Sequence, residues 1–150
     1  MPLPEDPEGS IRELSPAREQ FCAALAQRGA IALIIDYGPM ESAPGDSLQA
    51  IRHGAYADPL ESPGAADLTA HVDFAALKRA AHIQGPVKQN AFLTALGLHQ
   101  RTDILARRHP EQAANLRAAA QRLTAPEAMG SLFKAAAICP PNLPALPGFE

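Results

Sequence analysis

The sequence predicts an α/β fold that holds only part of a parallel sheet. Residues 30–36, AIALIID, open with six apolar residues in a row and no alternation. That is the pattern of a strand covered by helices on both faces. A helix leads straight into it, with Ser15 as N-cap, Pro16 at the first helical position and Gly29 as its stop. A helix feeding a doubly covered strand is half of a βαβ unit, yet the sequence offers no strand ahead of that helix.

The remaining elements follow in order. Residues 1–14 read as a flexible lead-in. On the first helix Ala17, Phe21, Ala24 and Leu25 mark an apolar face. Residues 39–68 are crowded with turn formers (Pro39, Pro44, Gly45, Gly54, Pro59, Pro63, Gly64) and read as a long irregular connection, a kind that is usually functional. Asp73 is placed to cap a helix that turns Phe74, Leu77 and Ala81 inward. IQGPV, residues 83–87, is a weaker strand candidate. Residues 89–96 predict a helix with Phe92, Leu93 and Leu96 inward and Gly97 as its stop. Thr102 is expected to cap a short helix through Ile104 and Leu105, and Pro110 to open another with Ala113, Leu116, Ala120 and Leu123 in a stripe. SLFKAAAIC, residues 131–139, predicts a final strand, ended by Pro140 and Pro141. Residues 15–139 thus form the domain and 140–150 a Pro-rich tail.

Bulk properties narrow the function. A chain of 150 residues suits one domain. Its formal charge of -3 lacks the excess of Lys and Arg that a nucleic-acid binder needs. No apolar run approaches a membrane span, and MPLPEDPEGS has no basic start such as a secretory signal requires. Cys22 and Cys139 give neither a disulfide framework nor metal spacing, so a reducing cytoplasm is expected.

Candidate chemistry is sparse. Gly45-Asp46-Ser47-Leu48 spells the nucleophile motif of the GDSL esterases, but that serine should directly follow a strand, and no Asp-x-x-His accompanies it. Ser47 is therefore expected in an ordinary turn. Asp36-Tyr37-Gly38 is spelled like a kinase magnesium triplet without the other kinase motifs. Its position says more, because ligands of open α/β sheets bind beyond the carboxyl ends of strands. His71-Val72-Asp73 could be an acid–base pair, or a helix cap beside a loop-fixing histidine. The remaining histidines show no ligand spacing with it, and no metal site is expected.

Six blocks in order then resemble one family: SPAREQF, GAIALIIDYG, GDSLQAIRH, DPLESPGAADLTAHVDFAALKRAA, QNAFLTALGL followed by Arg101, and RLTAPEAMGSLFKAAAI. They are similar to the C-terminal part of the MidA-type S-adenosylmethionine-dependent methyltransferases, which include the mitochondrial complex I assembly methyltransferase. The similarity runs from Ser15 to about Ile138, and DLTAHVDF is its most specific piece. The resemblance implies an α/β fold, the C-terminal half of a class I methyltransferase (Rossmann-like) sheet. Residues 30–36 would be its fifth strand, the region near 83–88 its sixth and 131–138 an antiparallel seventh. The helical segment at about 89–124 would be an insertion before that last strand.

The resemblance further implies methyl transfer from S-adenosylmethionine to a protein arginine, a complex I subunit as substrate, and a location that is cytoplasmic in bacteria and mitochondrial in eukaryotes. Asp36 and His71 are then the catalytic candidates, with Tyr37, Gly38, Thr69 and Asp73 on the substrate-side loop. The family holds its cofactor with a Gly-rich loop after the first strand and an acidic residue after the second. The ten glycines here form no G-x-G-x-G run, so no cofactor is expected to bind this chain alone. The leading expectation is an inactive half-enzyme that a complementing N-terminal half would complete, as in a fragment or a split enzyme. The alternatives are a non-catalytic interaction protein that pairs through its sheet edge and, less favoured, an esterase.

Overall fold

The computed structural model describes residues 6–150. In chain order the elements are α1 (Pro16–Gln27), β1 (Ala32–Tyr37), β2 (Gln49–Arg52), β3 (Ala55–Ala57), β4 (Asp67–Thr69), α2 (Phe74–Ala80) and β5 (Ile83–Lys88). Then come α3 (Gln89–Ala95), α4 (Leu98–Arg108), a 3-10 turn at Pro110–Gln112, α5 (Ala113–Thr124), a π turn at Pro126–Gly130 and β6 (Phe133–Ile138). The main sheet has the order β1-β6-β5, and β6 runs antiparallel to both neighbours. β1 and β5 are therefore parallel to one another, with the last strand of the chain slotted between them.

The core gathers Cys22 of α1, Val72, Phe74 and Leu77 at and in α2, and Ala136 and Ile138 of β6. Leu25, Ala26, Ala32 and Ile34 pack against it. Of the expected face only Leu25 turns inward, beside Cys22 and Ala26, while Ala17, Phe21 and Ala24 are exposed. Phe21 is 65% exposed. Four-residue spacing marks an apolar face, but packing against α2 and β6 selects the neighbouring stripe. Ser15 makes no side-chain cap bond; Pro16, needing no donor partner, and Gly29 at φ +67 mark the helix ends as expected.

β1 departs from expectation in a different way. Among the described residues it is hydrogen-bonded along one edge only, and Ile31 just before it, Leu33 and Ile35 are 61%, 54% and 43% exposed. One face of this strand is covered rather than two, because α1 and α2 pack on the side of Ala32 and Ile34 while α3 lies against β5 and β6. β5 includes a cis Gly85–Pro86 bond and a register shift between Gln84 and Val87, irregularities that an outer strand tolerates.

Residues 39–68 are less irregular than expected. They contain β2 and β3, and with β4 these form a second antiparallel sheet in the order β3-β2-β4. The β2–β3 link is His53 at φ +53 and Gly54 at φ +78, the paired positive values of a tight hairpin turn. Thr102 does not cap a helix. It lies buried inside α4 and its hydroxyl donates to the Leu98 carbonyl (2.8 Å). Leu96 is 49% exposed where an inward position was expected, while Phe92 is buried.

The stretch read as a lead-in falls outside the described residues at 1–5. Its remainder, 6–14, carries no helix or strand but is tied down at Asp6–Arg12 (2.5 Å) and Ile11–Gly45 (2.8 Å). The tail is fastened too: Gln84 donates to the Pro144 carbonyl (2.9 Å) and accepts from the Leu146 amide (2.7 Å), and Phe149 packs on Phe92.

Candidate functional site

At the carboxyl end of β1 the chain is pressed against the loop before α2. The Val72 amide donates to the Tyr37 carbonyl at 3.0 Å. A Cβ on Gly38 would stand 2.1 Å from the Val72 carbonyl oxygen, so only glycine lets these backbones meet. The Tyr37 ring stands edge-on to His71 (5.7 Å) and to Phe133 (5.4 Å). Asp36 accepts from the Tyr37 amide (2.8 Å) and lies opposite Lys134 in the strand register.

Asp73 caps α2 by accepting from the Ala76 amide (2.9 Å). Its other oxygen accepts from the Ser42 hydroxyl (2.6 Å), and Arg79 stands 4.0 Å away. A second set of bonds joins three distant segments. The Ser47 hydroxyl donates to Glu13 and accepts from the His71 amide (2.8 Å). The Ser47 amide donates to Glu13 (3.0 Å), and Arg18 donates to the His71 carbonyl (2.9 Å). Both backbone groups of His71 are thus held, leaving its ring to face Tyr37.

These groups border a cleft of about 620 Å³ whose lining includes Glu13, Arg18, Gly38, Ser47, His71, Asp73 and Lys134. Burial pushes the Lys134 ammonium below the ordinary lysine range, and neighbouring Lys88 acts in the same direction. Its charge is met by the Ser131 and Leu132 carbonyls at 2.8 and 2.9 Å.

Of the residues singled out from the sequence, Gly38, His71 and Asp73 line the cleft together. Asp36, Tyr37 and Thr69 do not line it: Tyr37 backs His71, Asp36 precedes it in β1, and Thr69 ends β4 opposite Gln49. Ser47 lies two residues before β2, bonded to a backbone amide and a carboxylate rather than to an imidazole, which is not the arrangement of an esterase nucleophile. Sequence reasoning missed Glu13, Arg18 and Lys134. Glu13 meets Ser47 across 34 positions, and no periodic or local pattern announces such a pair. Among the described residues no three His, Cys, Asp or Glu side chains gather as a metal site would, and no helix is long and apolar enough to cross a membrane.

Residues 2–92 match the profile of a family described as putative S-adenosyl-L-methionine-dependent methyltransferase. The chain belongs to this methyltransferase family. It is 37% identical over 150 residues to the mitochondrial protein arginine methyltransferase NDUFAF7 homolog of Drosophila melanogaster, covering 93% of this chain and 34% of that protein. With the mitochondrial protein arginine methyltransferase NDUFAF7 of Homo sapiens the identity is 33%, over 81% of this chain and 29% of the relative. The chain therefore spans about a third of the length of these curated relatives.

Two crystal structures from Burkholderia thailandensis, both of one superfamily, share the fold. An uncharacterised protein aligns with a TM-score of 0.80 at 24% identity, over 95% of this chain and 43% of its own. A second, bound to S-adenosyl-homocysteine, aligns with a TM-score of 0.76 at 26% identity, over 89% of this chain and 38% of its own. The mixed α/β fold is thus that of the methyltransferase superfamily.

Proposed function

We propose that the chain is the acceptor-side half of a methyltransferase that carries a methyl group from S-adenosylmethionine to a protein arginine, and that it is inactive until a cofactor-binding half joins it. One observation carries the reading: antiparallel β6 lies between parallel β1 and β5 while, among the described residues, the far edge of β1 is unpaired and Leu33 and Ile35 on one of its faces are exposed. β1, β5 and β6 then take the places of the fifth, sixth and seventh family strands. Residues 15–139 are the partial domain, and α3 to α5 are its inserted segment. Relatives named as protein arginine methyltransferases support the acceptor class, and a complex I subunit is the proposed protein partner. The proposed location is mitochondrial in a eukaryote and cytoplasmic in a bacterium.

The residues present do not fit the cofactor by themselves. No G-x-G-x-G run is available for close backbone approach to it. What this chain contributes is the other partner's side. The bonds to both backbone groups of His71 fix where its ring stands, and Tyr37 limits its rotation. His71 orients the acceptor nitrogen and holds its proton, Asp36 acts from outside the cleft by holding the Tyr37 amide behind that ring, and Gly38, Thr69 and Asp73 shape the loop beside it. Correct alignment of the reacting atoms is a large part of what such a site supplies.

The test restores the missing part by fusing this chain behind the preceding region of the Drosophila relative. Methyl transfer to an arginine peptide is then expected; His71→Ala should lower it by about 10²- to 10⁴-fold, and Asp36→Ala, acting through Tyr37, by less, both with unchanged circular dichroism. Full turnover in both variants would overturn those roles. For the chain alone, calorimetry should detect no S-adenosylmethionine binding; micromolar affinity would refute the half-enzyme reading.

A further inference from the structure

The second sheet has a chemistry of its own. Residues 41–73 carry Glu41, Asp46, Asp58, Glu61, Asp67 and Asp73 against a single Lys or Arg, Arg52, while the whole chain is only -3. Acidic charge is therefore concentrated in the segment that builds β2, β3 and β4, and Arg52 is already paired with Glu61 (3.2 Å). Glu41, Asp46, Asp58, Glu61 and Asp67 are all exposed. Tyr56, Leu60 and Leu68 of the same segment are 81%, 85% and 58% exposed.

β4 is an outer strand of this sheet, bonded to β2 along one edge among the described residues. Its chain continues directly into Ala70, His71 and Asp73, which line the cleft. A strand laid along the open edge of β4 would therefore run toward the cleft. The outer edge of β1, unpaired among the described residues, differs in kind. Its side chains are Ile31, Leu33 and Ile35, suited to further sheet and not to a charged segment.

We propose that the free edge of β4 docks a basic extended peptide by strand addition, with Asp46 and Asp67 supplying charge complementarity and Leu68 an apolar contact, and so delivers an arginine of the substrate to the cleft. This deepens the methyl-transfer reading and rests on it for the fate of that arginine. Main-chain hydrogen bonds would give such docking its affinity and alternate side chains its selectivity. Opposite charge would speed encounter and exclude acidic partners.

The experiment uses the 150-residue chain and a fluorescent peptide of alternating Arg and Val, read by anisotropy. Controls are the peptide with Glu for Arg and one N-methylated at alternate backbone amides. Binding is expected for the basic peptide, weakening in high salt, and falling about tenfold or more in the Asp46→Lys, Asp67→Lys double variant. N-methylation should abolish it, and amides 66–70 should gain exchange protection when the unmodified peptide binds. Circular dichroism of the double variant should match that of the unsubstituted chain. Absence of binding, equal binding of the Glu peptide, or full binding after N-methylation would each overturn the proposal. The two readings fail separately. A fused enzyme that methylates while peptide binding ignores the β4 changes refutes only the docking. A chain that binds the peptide but transfers no methyl group once fused refutes only the enzymatic reading.

Discussion

At the scale of single residues, two positions decide whether the cleft and core hold. Gly38 has no room for a methyl group: the added carbon would meet the Val72 backbone from 2.1 to 2.9 Å, and backbone cannot swing away as a side chain could. Gly38→Ala should cost about 3 kcal/mol or displace the His71 loop. Gly45→Ala, with nothing within 4 Å of the new carbon, is the matched control and should stay within about 0.5 kcal/mol by urea titration. Cys22 makes a pH prediction. Burial raises its thiol above the ordinary 9.0, with Arg18 opposing and Glu19 assisting. A group raised on folding favours the folded state fully below its unfolded value and loses that contribution as pH climbs through the folded one. The urea midpoint should therefore fall above about pH 9, and Cys22→Ala should flatten that part of the profile.

At the scale of elements, what was legible followed how local the physics is. Asp73 was readable as a cap because its partner, the Ala76 amide, lies three residues away. The strand at residues 30–36, the ends of α1 and the final strand were likewise marked by neighbours in sequence. The inward face of α1 was not, since periodicity offers adjacent stripes and only contact with α2 and β6 chooses between them. The β2–β3 hairpin was hidden because His53-Gly54 lacks the Asn-Gly or Asp-Gly signature and sits among prolines. In the cleft, Gly38, His71 and Asp73 were found through their place after a strand and before a helix, whereas Glu13 and Lys134 arrive from remote segments. The face assignment is testable in stability. Phe21→Lys should change it by less than about 0.5 kcal/mol, while Leu77→Ala, 2% exposed, should cost about 2–5 kcal/mol. The Ser47 bonds bear on the same loop. Ser47→Ala leaves the His71 amide without its acceptor and should cost about 1–3 kcal/mol, with faster hydrogen exchange at His71.

At the scale of the whole molecule, β1 presents, among the described residues, an unpaired edge and an exposed apolar face at once. Either feature alone invites association; together they mark the place where a sheet would continue. Leu33 reports on this because its environment must differ between the two states proposed for the chain. In the 150-residue chain it is 54% exposed, so Leu33→Lys should leave stability within about 0.5 kcal/mol and reduce self-association by placing charge on the open strand. In the fused enzyme the same side chain is proposed to be covered. There the lysine would lose the transfer free energy of leucine and bury an ammonium without a partner, a cost of about 3 kcal/mol or more. Denaturant titration of both proteins, with and without the substitution, reads the two effects directly, and size-exclusion chromatography follows association. The opposite responses are the signature of an interface built into β1. Equal and small effects in both proteins would mean that this face stays open in the fused enzyme, and the half-enzyme reading would fail with it.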